Sequence, residues 1–234
     1  MSSASNYLVI AANEVDVLGQ AEAIFSLVWR FSFDQPGFAV VDVGTEVSSM
    51  MLRSLMVALK QKMSEVAIEK GMRPFNYFSM SRFDQQVTTK FHRDGAPDKS
   101  LLMLGYEPSA VQSRLHMADY TRAAADVGIT PNQFLIEYNP MFKHGEEKLL
   151  PYAIELPQPQ PGHSTIVLVN NCSLEYSASG SNPLGVLHQA TIINPDKALH
   201  RIINSIMLCV HEPDQVTEQQ QIDFVNTDTI SGGY

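Results

Sequence analysis

Residues 85–95 read Gln85-Gln86-Val87-Thr88-Thr89-Lys90-Phe91-His92-Arg93-Asp94-Gly95. The alternation before His92 and the Gly after Asp94 predict a short strand over 85–92 that then turns. His92 and Asp94 are two residues apart, so on an extended chain both side chains leave the same face. A distant second His would complete a set of two imidazoles and one carboxylate. That set suits non-haem Fe(II) and leaves coordination positions open.

A His-x-acid pair is weak evidence alone, because seven His among many acids give roughly 0.7 such pairs by chance. A second pair, His144-Gly145-Glu146, reads as an exposed loop, and a loop places ligands less firmly than a strand does. For the distant His there are three candidates, His163, His188 and His200. His163 follows Pro161-Gly162 at a strand entrance. His200 abuts Arg201, so on one strand the two side chains would oppose each other. His188 lies 13 residues before Arg201, with Asn194-Pro195-Asp196 between them to return the chain. Arg201 would then stand on the next antiparallel strand, where its planar fork can grip a carboxylate. Ser205 shares its strand face. Taken singly, each His is as readily a hydrogen-bonded core or surface group, and Arg201 could pair with Asp94, Glu155 or Glu175. Only the joint arrangement raises the metal reading.

With these residues in view, the stretch from about 75 to 210 resembles the Fe(II)/2-oxoglutarate-dependent oxygenase superfamily. Its pattern is His-x-Asp, a distant His, then an Arg. Gly162, Val167, Asn170, His188, Asn194-Pro195, Arg201 and Asn204 are similar to the phytanoyl-type branch. Many members carry Ser two residues after the Arg; this chain has Ile203 there and Ser205 two further on. The resemblance implies a double-stranded β-helix, or jelly roll, with flanking helices. It implies His92, Asp94 and His188 as ligands of Fe(II). It implies 2-oxoglutarate held by Arg201, assisted by a hydroxyl such as Ser205 or Tyr77. The activity implied is oxidation, by hydroxylation above all, of a small molecule by molecular oxygen, with the keto acid decarboxylated to succinate.

Composition sets outer bounds. The 234 residues fit one large domain, and an apolar fraction of 44% with 18% charged is ordinary for a globular chain. A net charge of −9 argues against a nucleic-acid partner, which needs clustered Lys and Arg. Two Cys outside any C-x-x-C pair make no disulfide framework, so a reducing compartment, the cytoplasm, is expected. No charged leader precedes Arg30, and no apolar run approaches the roughly 20 residues that span a bilayer.

Along the chain the pattern predicts strands at 7–10, 38–43, 75–81, 100–106, 152–156, 165–169, 187–193 and 201–210, besides 85–92. Helix-like spacing covers 14–30. The longest helix starts at an N-cap Thr45 and stops at Lys70-Gly71. Its Met residues read as core filler, with a homodimer interface as the other use. Residues 115–138 look helical within an insertion at about 107–150, with Thr130-Pro131 opening one helix. The aromatics Tyr120, Phe134, Tyr138 and Phe142 could line a pocket or form the insertion's own core. One domain is expected over 1–211, with an acidic, polar, partly ordered tail over 212–234. The fold class is α+β, mainly β. Two rivals use other chemistry: a cupin-like metal enzyme without the keto acid, indifferent to Arg201, and a non-catalytic jelly-roll binding module, indifferent to His92. A third keeps the keto acid but not turnover, as a retired oxygenase that senses 2-oxoglutarate.

Overall fold

A computed structural model describes residues 7–10, 14–177 and 180–231. The N-terminal part runs β1 (Leu8–Ile10), α1 (Glu14–Gly19), α2 (Ala21–Val28), β2 (Phe38–Gly44), α3 (Ser49–Glu69) and β3 (Asn76–Asp84). The middle holds β4 (Ser100–Tyr106), β5 (Ser113–Ala118), α4 (Tyr120–Val127), α5 (Pro131–Glu137), α6 (Lys143–Leu149) and β6 (Ala153–Glu155). The chain continues through β7 (Ser164–Asn170), β8 (Leu187–Ile192), β9 (Ile202–Cys209) and α7 (Glu218–Asn226).

The strands form two sheets, one of six in the order β1-β2-β7-β4-β9-β3 and one of three in the order β6-β5-β8. Pairing is antiparallel except between β1 and β2. The central strands of the large sheet are apolar at nearly every position because both faces are covered. Leu101 and Met103 of β4, Ile166 and Leu168 of β7, and Ile206 and Leu208 of β9 pack among α1, α2, α3 and α7. Their neighbours Leu102, Leu104, Val167, Val169, Ile203 and Met207 face the small sheet, where Leu115 and Met117 of β5 meet them. The result is a mixed helix and antiparallel-sheet structure, mainly strands by element count.

Local chemistry explains where the elements depart from the sequence pattern. The long helix begins later than Thr45: Ser48 is its N-cap, and its hydroxyl accepts the Met51 N–H. Met56 and Met63 are fully buried against the sheet, whereas Met50 and Met51 stand half exposed. Residues 85–92 run beside β8 without forming a strand. The hydroxyls of Thr88 and Thr89 take the N–H groups of Ile192 and Ala190, so side chains supply bonds that a backbone ladder would otherwise make. Residues 113–118 are not part of a helical insertion but the middle strand of the small sheet. The helical cluster proper is 120–149, and α4 and α5 end and begin as their residues dictate. Gly128 takes the left-handed conformation after α4, and Thr130 with Gln133 forms a capping box ahead of α5. The His144-Gly145-Glu146 segment is helical, in α6. Gly145 is required there because a Cβ would lie 2.3–2.4 Å from the carbonyl oxygens of Asn139 and Tyr138.

Residues 216–228 are anchored to the rest of the fold. Thr217 and Gln220 form a second capping box, and Val216 and Phe224 are buried. Arg53 of α3 donates to the carbonyls of Val225 and Thr227, and Arg82 of β3 donates to that of Asp228. No helix among the described residues is long and apolar enough to cross a membrane.

Candidate metal centre

A cavity of about 460 Å³ opens between the two sheets. Its floor is β3, β4 and β9, through Ser81, Leu104 and Ser205. Its roof is β5 and β8, through Leu115, Met117 and Ala190. His92, Asp94 and His188 line it together.

His92 and His188 are bridged by two reciprocal backbone hydrogen bonds of 3.0 Å each. Residues paired in this way point to one side of the ribbon. Their rings accordingly lie 4.2 Å apart between centroids. The same Oδ1 of Asp94 stands 3.3 Å from Nε2 of His92 and 3.8 Å from Nε2 of His188. Among the described residues this is the one group of three His, Cys, Asp or Glu side chains placed to hold a metal ion, its ligand atoms all within 4.8 Å of one another. Nδ1 of His92 donates to the Lys90 carbonyl at 2.7 Å, which leaves Nε2 facing the cluster. Nδ1 of His188 is buried with no hydrogen-bond partner among the described residues.

The electrostatics separate the two imidazoles. Burial pushes His188 down to about 4, and the neighbouring His92 adds to this against the pull of Asp94. Burial acts on His92 in the same direction. There it is overcome by the Asp94 carboxylate and by the carbonyls of Lys90 and His188, which hold its pKa above the ordinary value. Burial would raise Asp94, but its bond to His92 and the charges of His188, His92 and Arg93 hold it low. One imidazole with a lowered pKa, a second with a raised one and a carboxylate held low form a donor set of two nitrogens and an oxygen suited to a borderline divalent metal.

Arg201 lies just before β9 and is 3% exposed. Its Nε donates to Ser113 Oγ at 3.0 Å and its Nη1 to Gln85 Oε1 at 2.6 Å, and the guanidinium lies over the Tyr106 ring, 5.0 Å from its centroid. Among the described residues no carboxylate comes within ion-pairing distance of it, so Asp94, Glu155 and Glu175 are not its partners. Ser113 is opposite Ile192 in register, and Met117 is opposite His188. Arg201 therefore meets the small sheet four residues along β8 from His188, roughly 14 Å at about 3.4 Å per residue. Gln85 and Tyr106, which it touches, line the cavity.

No family model matches the chain, and no curated protein matches its sequence. Among solved structures it is similar to an asparagine oxygenase in complex with Fe(II), 2S,3S-3-hydroxyasparagine and succinate. The TM-score is 0.45 and the identity 10%, over 87% of this chain and 93% of that one. A likeness so distant carries no inference about the chemistry of this chain.

The remaining sequence candidates fall in various places. Ser205 lines the cavity, opposite Ser81 in register. Tyr77 does not reach it. The pairing of β3 with β9 shifts between Tyr77 and Ser79, so Phe78 is an extra residue. Ser79, Ser81 and Phe83 face the cavity, while Tyr77 turns to the helix side, under Lys60. Arg93 is half-buried on the cavity wall and donates to the carbonyls of Asn171, Ala96 and Pro97. Arg82 pairs with Glu107. His163 bonds Asp42 and His200 bonds Asp84, both away from the cluster. Tyr120 and Phe134 are buried in the core of the helical cluster, and Phe142 is exposed.

Two residues at the site carried no sequence signal. Tyr106 supports Arg201 with its ring, and Asn171 bonds the backbone of Asp94.

Proposed function

We propose that the protein is a non-haem Fe(II) oxygenase that takes 2-oxoglutarate as co-substrate and oxidises a C–H bond of a small molecule, by hydroxylation. In this reading the two sheets are the halves of a jelly roll. One observation carries it. A two-imidazole, one-carboxylate cluster stands in a cavity whose far end is backed by a buried guanidinium with no carboxylate partner among the described residues. A buried charge left in that condition is costly, and a dicarboxylate would complete it.

His92, Asp94 and His188 would hold the metal. Bound there, Fe(II) would supply dioxygen activation and the oxidative decarboxylation of the keto acid to succinate and carbon dioxide. Arg201 receives the distal carboxylate of 2-oxoglutarate, its fork aimed by Ser113, Gln85 and the Tyr106 ring. The Ser205 hydroxyl is available on the floor between the two ends. Leu104, Leu115, Ile203 and Met207 keep the walls apolar, which limits water and strengthens the charge contacts inside. Cys172 is no rival nucleophile, since burial pushes its thiol up to about 12.

The test is an anaerobic titration with Fe(II) followed by 2-oxoglutarate, read by the weak visible charge-transfer band of a chelated keto acid. The band is expected in the wild type and absent in Asp94→Ala. In Arg201→Ala the half-saturating keto-acid concentration should rise roughly a hundredfold, as loss of a charge-assisted hydrogen bond worth ~3 kcal/mol implies. Fe(II) binding without a band favours a metal enzyme that uses no keto acid. No Fe(II) binding leaves a non-catalytic module.

A further inference from the structure

The geometry points to Asn171 as the residue that positions Asp94 in the metal cluster, a role that rests on the metal centre proposed above. Asp94 lies in a loop, outside either sheet, so no strand ladder fixes it. Asn171 follows β7 and is fully buried. Its Oδ1 accepts the Asp94 N–H at 2.9 Å, and its Nδ2 donates to the Asp94 carbonyl at 3.0 Å. One side chain thus gives Asp94 the pair of bonds that a neighbouring strand residue would give. The second Nδ2 hydrogen goes to Ser100 Oγ at 3.0 Å. The main chain of Asn171 is anchored as well. Its N–H donates to the Ser100 carbonyl, and its own carbonyl accepts from Arg93 Nε. The clasp therefore holds two consecutive residues, Arg93 and Asp94, against the end of a central strand.

Only a carboxamide fits this place. It offers an acceptor and two donors on one rigid plane. Reversed, the amide would set its NH2 against the Asp94 N–H, so a single orientation is workable. Aspartate keeps the acceptor but loses the donor. The side chain of neighbouring Asn170 is equally buried but bonds the Val28 carbonyl and the Cys172 N–H, so it has no hold on Asp94.

Cobalt(II) alone is the probe, read by its visible ligand-field bands and by calorimetry, with no turnover required. Asn171→Ala should bind Co(II) about 10–100-fold more weakly, as loss of a group that orients a ligand does, with a changed band pattern. Asn170→Ala should lower stability and leave the affinity alone. Should Asn171→Ala fail to fold, Asn171→Asp serves in its place, since it conserves volume and the acceptor. Amide exchange in the wild type is independent of any variant: the Asp94 amide should exchange far more slowly than that of Gly95. Equal exchange at the two amides, or unchanged Co(II) affinity and bands in a folded Asn171 variant, overturns the clasp while the metal centre stands. Absence of Co(II) binding by the wild type overturns the metal centre itself.

Discussion

His92 and His188 are the same side chain in nearly the same place, yet their protons behave differently. His188, held down at about 4 by burial and by His92, is already neutral through the physiological range. Burial also lowers His92, but the Asp94 carboxylate and two carbonyls outweigh it, so its pKa is raised and the imidazolium keeps its Nε2 proton to higher pH than an ordinary imidazole does. A metal must displace that proton before it can bind Nε2. Divalent-metal affinity should therefore climb with pH until the raised His92 value is passed and then level off. Roughly one proton should be released per metal bound below that point. Calorimetric Co(II) titrations in buffers of different ionisation enthalpy count the protons directly. A midpoint near 4 would mean that His188, not His92, is the competing group. The sequence could not have told the two apart: both read as a lone His on a strand, and the difference comes from which atoms surround each ring.

At the scale of elements, part of the site was legible and part was hidden by irregularity. Alternation along strands was the ground for grouping His92, Asp94 and His188, and the structure brings the three together, although Asp94 stands in a loop and Arg201 just before a strand of the other sheet. The strand expected under His92 is absent, because Thr88 and Thr89 spend their hydroxyls on β8 and only a single bridge survives at His92. Tyr77 was misplaced for a related reason. One extra residue in β3 reverses which face an odd-numbered side chain takes, and nothing in the local sequence announces a bulge. For β5 the signal was present. Leu115 and Met117 alternate with Arg114 and His116, but six residues beside an Ala-rich helix look like its lead-in. The entry to β8 depends on a contact that no periodicity records. At Gly185 a Cβ would fall 2.0 Å from the Cys172 carbonyl oxygen, a backbone atom that cannot swing away. Gly185→Ala should thus force the start of β8 from the end of β7 and cost about 3 kcal/mol, the upper part of the overpacking range. The metal affinity should fall with it, since His188 rides on that strand. Urea denaturation checks the first and Co(II) titration the second. A stable variant would mean that the two segments yield where the geometry says they cannot.

Across the whole molecule, the C-terminal segment is tied to the sheet by a buried polar network centred on Glu107. Ser49 donates to its Oε1 at 2.5 Å, Asn204 donates to the same oxygen at 2.9 Å, and Arg82 reaches Oε2 at 3.2 Å. Arg53 stands 3.6 Å away, while Arg53 and Arg82 together hold the carbonyls of residues 225, 227 and 228. The composition suggested an acidic, polar, partly ordered tail and could not show what holds it, because the two arginines that bond its backbone lie more than 140 residues earlier in the chain. Burial acts to raise the Glu107 pKa, but the bonds from Ser49, Asn204 and Arg82 and the Arg82 charge more than offset it, so the folded value lies below the ordinary one. The sign of the linkage follows. The unfolded chain takes up the proton first, so the stabilisation from Glu107 is complete above the ordinary glutamate range. It is lost as the pH falls through the depressed folded value. Glu107→Gln leaves two buried guanidiniums without their counter-charge and should cost about 3 kcal/mol near neutral pH, the cost of breaking a buried pair. The gap between wild type and variant should then close in acid, because protonation does to the wild type what the substitution has already done. Denaturation midpoints measured in parallel from neutral pH into the acid range test this. Curves that stay the same distance apart at every pH would show that the carboxylate charge is not what secures the C-terminal segment.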